Sequence, residues 1–114
     1  MPNPKLPAIR ESEFTTMVLK LAKLRGWKTA HFRPGLNRRG KWSTAVQGDG
    51  AGWPDLFAVH ERHRPFAAEL KVGKNKTTPE QVAWLNAMRK AGIRTFVWTE
   101  KSWADIEAVL EGRE

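Results

Sequence analysis

Three side chains in the middle of the sequence could act together on a phosphodiester. Asp55 is followed by Glu69, and Lys71 comes two residues after Glu69. Two carboxylates can hold a divalent cation, and a lysine beside them can polarise a water molecule or neutralise developing negative charge. These groups are sufficient in kind for metal-assisted cleavage of a phosphodiester. The spacing by itself is loose, since many unrelated chains contain an aspartate at this distance from Glu-x-Lys.

The charge of the chain favours a polyanionic partner. The 114 residues carry a formal net charge of +8, with 20 Lys and Arg against 12 Asp and Glu. Residues 1–99 hold 18 basic and 7 acidic side chains, whereas residues 100–114 hold 2 and 5. A phosphate backbone is the commonest partner of such a basic field, so DNA is the expected partner. A basic surface that serves solubility, or one that binds an acidic protein, is the alternative.

Composition excludes several other classes of protein. No segment approaches the run of about 18 apolar residues that spans a membrane. The chain has no cysteine, which rules out disulfides and thiolate zinc sites and makes an intracellular location the default. Residues 1–9 are expected to form a flexible N-terminal lead, and residues 10–114 a single domain.

Hydrophobic periodicity and helix-end signals predict the order of elements as α-β-β-β-α-β-α. The predicted helices cover residues 11–25, 78–92 and 102–110, and the predicted strands cover residues 27–33, 54–60, 65–72 and 93–98. Residues 34–53 are polar and rich in glycine, and we expect a long loop there. The sequence therefore predicts an α/β fold in which helices flank a central mixed sheet.

The two central strands should bring the carboxylates together. If their hairpin folds symmetrically about Arg62, Asp55 lies directly opposite Glu69, with Cβ atoms about 4.5–5.5 Å apart. Two carboxylates this close repel each other, and a divalent metal relieves the repulsion better than Lys71 alone. A slip of one residue would break the arrangement. The competing interpretation is that Glu69 and Lys71 are solvated neighbours on an edge strand.

Around these residues the chain resembles the virus-type replication–repair nuclease (VRR-NUC) branch of the PD-(D/E)xK nuclease superfamily. The resemblance covers roughly residues 10–105, and its combination of motifs is more specific than the three charged residues alone. The matching segments, in family order, are Glu11-Ser12-Glu13-Phe14, Gly26-Trp27, Gly52-Trp53-Pro54-Asp55-Leu56, Ala68-Glu69-Leu70-Lys71, Thr78-Pro79-Glu80-Gln81, Trp84-Leu85, Gly92 and Phe96-Val97-Trp98.

The resemblance implies a restriction-endonuclease-like core and hydrolysis of DNA phosphodiesters that depends on Mg²⁺ or Mn²⁺. Asp55 and Glu69 would then be metal ligands, and Lys71 would orient or activate the attacking water. Stand-alone relatives in phage and bacteria resemble Holliday-junction resolvases of DNA repair and recombination, and some act as homodimers. The expected setting is the cytoplasm of a bacterial cell or of a phage-infected host. The alternative is a non-catalytic DNA-binding or recombination accessory protein with a degenerate nuclease core.

The resemblance also implies a catalytic acidic residue on the first helix. Glu11 is favoured as this further ligand because it shares a helical face with Phe14 and Val18, but Glu13 competes with it. Many relatives carry glutamine where this chain has Thr15, which puts an auxiliary contact in doubt.

Gln81 has two possible roles, one structural and one catalytic. It fits the third position of a helix capping box, and the equivalent glutamine of the family lies near the active site.

Basic residues outside the acidic cluster are candidate contacts to DNA phosphates, which position a duplex without reading its sequence. Of the tryptophans, Trp84 and Trp98 are predicted to be core residues, and Trp42 and Trp53 to line a groove. The predicted DNA-binding residues are Arg33, Arg38, Arg39, Lys41, Lys74 and Lys76.

Overall fold

The computed structural model describes residues 9–32, 35–36, 42–43 and 48–114, with residues 35–36 and 42–43 described by their backbone. Three helices and six strands lie in this part of the chain. The helices are α1 (Glu11–Leu24), α2 (Pro79–Lys90) and α3 (Trp103–Leu110), and a 3₁₀ turn at Glu100–Ser102 precedes α3. The strands are β1 (Lys28–His31), β2 (Gly35–Leu36), β3 (Trp42–Ser43), β4 (Leu56–Val59), β5 (Phe66–Leu70) and β6 (Arg94–Trp98).

Four strands form the central sheet in the order β1-β4-β5-β6. The β1–β4 and β4–β5 pairs are antiparallel and the β5–β6 pair is parallel, so the sheet is mixed and the α/β class is confirmed. Helix α2 is the crossover between the parallel strands β5 and β6, which such a connection requires. The predicted order of the main elements is also confirmed.

The expectation of a long loop over residues 34–53 was wrong in one respect. Strands β2 and β3 pair with each other as a short antiparallel ribbon within that stretch. Each strand is only two residues long, which is too short for an alternation of hydrophobic and polar residues to be recognised in the sequence.

Helix α1 places its apolar stripe against one face of the sheet. Phe14, Val18 and Ala22 are buried at spacings of four, whereas Met17 and Leu24 are exposed. The helix ends in a Schellman arrangement around Gly26, whose φ of +87° suits glycine. In that arrangement the Trp27 backbone N–H donates to the carbonyl of Ala22. The chain therefore turns directly from α1 into β1.

Strand alternation divides the side chains between two faces of the sheet. On the first face, side chains from β4, β5 and β6 join those of α1 and α3 in one continuous hydrophobic core. The sheet residues of this core are Leu56, Ala58, Phe66, Ala68, Leu70 and Trp98. Helix α2 contacts β5 and β6 and lies on the second face. Its Arg89 donates a hydrogen bond to the side chain of Thr95 on β6. By strand alternation, Thr95 projects to the face opposite that of the core residues Phe96 and Trp98.

Candidate active site

The carboxylate pair lies where β4 begins and β5 ends. Leu56 pairs with Ala68, and Phe57 with Ala67, so the next step along the same register sets Asp55 opposite Glu69. This is the register that a hairpin symmetric about Arg62 predicts. The Asp55 carboxylate is fixed by the backbone N–H of Leu70, which donates to Oδ2 at 2.8 Å.

Glu69 is not a solvated residue on an edge strand. Strand β5 lies between β4 and β6, all five of its residues are buried, and Glu69 is 0% exposed. A carboxylate is rarely buried to this extent without a partner for its charge. The competing interpretation of Glu69 as a surface residue is therefore wrong.

The surroundings of Glu69 penalise its ionised form. Burial and the negative charge of Asp55 raise the pKa of Glu69 from 4.5 to about 8, and a hydrogen bond to the Asp55 side chain, which only protonated Glu69 can donate, acts in the same direction. The positive charge of Lys71 opposes the increase without cancelling it. One carboxylate oxygen, Oε2, accepts a hydrogen bond from Gln81, and the other, Oε1, is buried without a hydrogen-bond partner. A cation bound between the carboxylates would give Oε1 a partner and restore the ionised state.

Gln81 has both of its predicted contacts at once. The side-chain Oε1 of Gln81 accepts from the Thr78 backbone N–H at 2.9 Å, and the backbone N–H of Gln81 donates to Thr78 Oγ1 at 3.2 Å. These two bonds complete the capping box at the start of α2. The Nε2 of Gln81 donates to Glu69 Oε2 at 3.1 Å. The cap fixes the orientation of the amide, since a flipped amide would place its NH₂ group against the Thr78 donor. Gln81 thus holds Glu69 from a rigid helix terminus.

Lys71 directly follows β5 and is half-buried. Its backbone N–H donates to the carbonyl of Trp98 at 2.9 Å, which extends the β5–β6 pairing past the last strand residue. Strand alternation places its side chain on the same face as Glu69, where its charge acts on that carboxylate. The structure therefore brings Asp55, Glu69, Lys71 and Gln81 together.

The segment before Asp55 is attached tightly to the first turns of α2. Gly52 has a φ of +84°, and a Cβ at this position would overlap the backbone of Glu80 and Gln81. The indole N–H of Trp84 donates to the carbonyls of Asp49 and Ala51 at 2.9 and 3.0 Å. These contacts fix Asp55 relative to the helix that carries Gln81.

Trp84 therefore differs from its prediction as a core residue. It is half-buried, and its indole connects α2 to the loop instead of filling the core. The signal that could have identified this role is its position one turn after Gln81 on the same helix. Trp98 is buried in the core as predicted.

Trp53 is the centre of an aromatic cluster beside the carboxylates. Its ring contacts those of Phe32, Phe57 and Trp84 at centroid distances of 5.6, 6.4 and 4.9 Å. Its indole N–H is buried without a hydrogen-bond partner. The ring is half-buried, and the cluster covers the sheet next to Asp55.

Glu11 is not brought into the carboxylate pair. Helix α1 begins at Glu11 with Arg10 as its N-cap, and both Glu11 and Glu13 are exposed. Glu13 lies 3.9 Å from Arg10. Over the described ranges, no three or more His, Cys, Asp or Glu side chains form a group that could hold a metal. The two carboxylates Asp55 and Glu69 thus stand without the predicted third.

Thr15 occupies the buried face of α1 one turn after Glu11. It is 4% exposed, so a longer glutamine side chain at this position would have to find room within the packed interface.

Only part of the predicted DNA-binding set can be located. Lys74 and Lys76 are exposed in the loop that follows Lys71. The Gly73 backbone N–H in this loop donates to the carboxylate of Glu100. The other four predicted contacts lie outside the described residues, and they are Arg33, Arg38, Arg39 and Lys41. The side chain of Trp42 also lies outside them.

Among the described helices, none is long and apolar enough to cross a membrane. No family model matches the sequence, and no curated protein and no solved structure matches it either.

Proposed function

We propose that this protein is a metal-dependent DNA endonuclease. The observation that carries the proposal is the buried carboxylate of Glu69, which faces Asp55 and has one oxygen without a partner. A carboxylate in this state takes up either a proton or a cation, and Asp55 beside it supplies the second carboxylate oxygen that a divalent cation would need. The resemblance to VRR-NUC nucleases, with their restriction-endonuclease-like core, gives the same assignment.

The residues present fit a divalent ion with oxygen ligands. The Leu70 N–H holds Asp55 Oδ2 and Gln81 holds Glu69 Oε2, which leaves the second oxygen of each carboxylate for the ion. Mg²⁺ and Mn²⁺ both prefer carboxylate oxygens and retain several waters. When bound, such an ion supplies Lewis-acid polarisation of the phosphate and lowers the pKa of a coordinated water.

The remaining residues of the site orient the reacting groups and balance their charge. Lys71 places an ammonium beside Glu69, where it orients the attacking water and stabilises negative charge that develops on the phosphate. Gln81 keeps the Glu69 carboxylate in one orientation from the capped helix terminus. Glu11, which is exposed at the first position of α1, would join the ion only through a shift of the helix terminus.

The charge distribution supports DNA as the substrate. Residues 1–99 carry a large basic excess, and Lys74 and Lys76 follow the site directly. We expect phosphate contacts and recognition of DNA shape, as in a Holliday-junction-resolvase-like enzyme of repair and recombination. The proposal includes a possible homodimer and a location in the cytoplasm of a bacterial cell or a phage-infected host.

One assay separates this function from that of a non-catalytic accessory protein. Branched, duplex and single-stranded DNA are incubated with the protein in Mg²⁺, in Mn²⁺ and in EDTA. The account predicts cleavage with either metal, none in EDTA, and loss of cleavage with retained DNA binding in Lys71→Ala. Lys90→Ala, which removes an exposed charge at the far end of α2, is the matched control and should cleave normally. Binding without cleavage under every metal condition would establish the accessory role instead.

A further inference from the structure

A second charged feature lies at the opposite end of the β1–β4 strand pair. It is an open cleft of about 580 Å³, defined here as the basic cleft. Its charged lining consists of Arg25, Lys28 and Arg62 against a single carboxylate, Glu61. None of these residues takes part in the proposed active site.

The basic cleft opens on the same face of the sheet as the carboxylate pair. Lys28 is paired with Val59, and both line the cleft. Side chains two residues apart on a strand share a face, so Val59, Phe57 and Asp55 project to the same side. Val59 comes four residues after Asp55, which corresponds to about 13 Å along the strand at roughly 3.3 Å per residue. Carboxylates and cations therefore lie along one strand.

The part of this surface nearer the basic cleft is accessible, and the aromatic cluster around Trp53 and Phe57 covers the part nearer Asp55. Helix α2 packs on β5 and β6, whereas β1 is an edge strand and Val59 on β4 is 42% exposed. Ala30, which lies on β1 opposite Phe57, is also exposed. An extended ligand can thus contact both ends of β4.

The cations of the basic cleft are available to an anion. Lys28 and Arg62 are exposed and form no ion pair with any described residue, while Arg25 lies 3.1 Å from Glu111. Because Arg25 is already paired with Glu111, the excess of positive charge within the lining comes from Lys28 and Arg62 against Glu61. Surface arginines and lysines in such a concave site attract phosphate oxygens.

His60 organises this cleft without adding charge. Its Nδ1 accepts from the Arg62 backbone N–H at 3.0 Å, and its Nε2 lies 2.9 Å from the carbonyl of Arg25. A carbonyl can only accept, so Nε2 carries the hydrogen and the ring is neutral. The ring connects the two segments that carry Arg25 and Arg62, which keeps the cations close together.

We propose that the basic cleft binds a backbone phosphate of the same DNA molecule whose phosphodiester is held at Asp55 and Glu69. The identification of the ligand as DNA rests on the proposed function. A straight-line separation of about 13 Å corresponds to roughly two phosphates along one strand of a duplex, because neighbouring phosphates lie about 7 Å apart as the strand winds and rises about 3.4 Å per nucleotide. The basic cleft thus sets the position and direction of the DNA relative to the cut.

The first test measures DNA binding in EDTA, where no cleavage occurs. The K28A/R62A variant should bind duplex DNA about tenfold more weakly than wild type, and the slope of log affinity against log salt should fall by about 1 for each cation removed. The control K20A/K23A removes the same charge from exposed positions of α1, which lies on the other face. Equal weakening in both variants would show only a general electrostatic effect and overturn the proposal.

A second test locates the phosphate. Single methylphosphonate groups, which are neutral, are placed at successive positions of a cleaved strand. Wild type should lose affinity in EDTA for substitutions about two positions from the cut on one side, and K28A/R62A should be insensitive to those substitutions. Sensitivity that persists in K28A/R62A overturns the proposal.

These tests separate the basic cleft from the enzymatic assignment. If the protein never cleaves DNA, the phosphate can still be located. Single methylphosphonates are then placed at successive positions of a duplex that the protein binds, and binding is measured for each. Selective loss of binding in K28A/R62A then supports the basic cleft while the nuclease function fails. If the protein cleaves DNA and K28A/R62A binds DNA as tightly as wild type, the nuclease function is supported and the role of the basic cleft is overturned.

Discussion

The β4–β5 hairpin carries a pair of titratable side chains at each end, and the two pairs are built differently. At the open end, Asp55 faces Glu69, whose Oε1 is buried without a partner. At the turn, His60 and His63 stack with ring centroids 4.3 Å apart. Both nitrogens of His60 have a hydrogen-bond partner. At the turn end both nitrogens of His60 are therefore partnered within the protein, whereas at the open end Glu69 Oε1 is not.

The turn end is also packed as a structural element. Trp27 stacks against His63 and donates its indole N–H to the carbonyl of Leu110 at 2.9 Å. A Cβ at Gly112 would overlap the His63 ring, so the C-terminal segment lies directly on the turn. The two ends differ in that only the open end combines an unpartnered carboxylate oxygen with a second carboxylate, which is the arrangement that suits a cation.

The largest expected effect is the loss of activity in Asp55→Asn or Glu69→Gln. Each substitution removes a negative ligand, and we expect a decrease in cleavage rate of at least about a thousandfold together with loss of metal affinity. Cleavage rates and Mn²⁺ binding are measured on the same samples. Glu13→Gln, an exposed position on α1, is the control and should retain both. Retained activity in either ligand variant refutes its assigned role.

Gly52→Ala should have the next largest effect, on stability and on cleavage together. A methyl group there meets the backbone of Glu80 and Gln81 at a positive φ, and we expect a decrease of about 2–4 kcal/mol in the free energy of unfolding. Gly48→Ala is the matched control, because its φ is +74° but nothing lies within 4 Å of the added methyl. Urea denaturation of both variants measures the difference. Equal destabilisation would show that close approach to α2 is unimportant.

The two ends should respond to pH in opposite directions. The folded-state pKa of Glu69, about 8, lies above its usual 4.5, so its contribution to stability is full below pH 4.5 and is lost as pH rises towards 8. Burial and the positive charges of Arg62 and Arg94 lower the pKa of His63 below 6.5, so its contribution to stability is lost as pH falls below 6.5.

Urea denaturation without metal, repeated between pH 5 and 8.5, measures this effect. Wild type should lose stability relative to Glu69→Gln by up to about 1.4 kcal/mol per pH unit between about pH 5 and 7.5, and the two curves should become parallel above about pH 8. Added Mg²⁺ should reverse the loss in wild type only. Curves that are parallel over the whole range would show that Glu69 does not take up a proton on folding.

The smallest expected effect is that of Trp27→Phe at the turn end. The variant loses one buried hydrogen bond to Leu110, and the free energy of unfolding should decrease by about 1–2 kcal/mol. The cleavage rate at 25 °C should not change, because the turn end does not contact the carboxylate pair. A rate decrease comparable to that of Lys71→Ala would show that the two ends are coupled.

The sequence predicted the central geometry because the signals were local. A four-residue polar connection between two apolar runs set the β4–β5 register, and the register alone placed Asp55 opposite Glu69. The capping box was readable for the same reason. That Gln81 also reaches Glu69 depends on how α2 lies over β5, which no local pattern encodes.

Features that depend on distant contacts were predicted less well. Glu11 was placed by its helical face alone, but its distance from the carboxylates depends on where α1 begins relative to β4 and β5. The basic cleft depends on the pairing of Lys28 with Val59, between strands 31 residues apart in the chain. Trp84 was assigned to the core from its hydrophobicity, and its hydrogen bonds to Asp49 and Ala51 became visible only in the folded chain.

Calorimetric titration of the protein with Mn²⁺ at pH 7, in two buffers of different ionisation enthalpy, tests the central claim most directly. Because the pKa of Glu69 is about 8, binding should release close to one proton, and Glu69→Gln should lose both the binding and the proton release. Mn²⁺ binding of equal strength to wild type and Glu69→Gln would contradict the account.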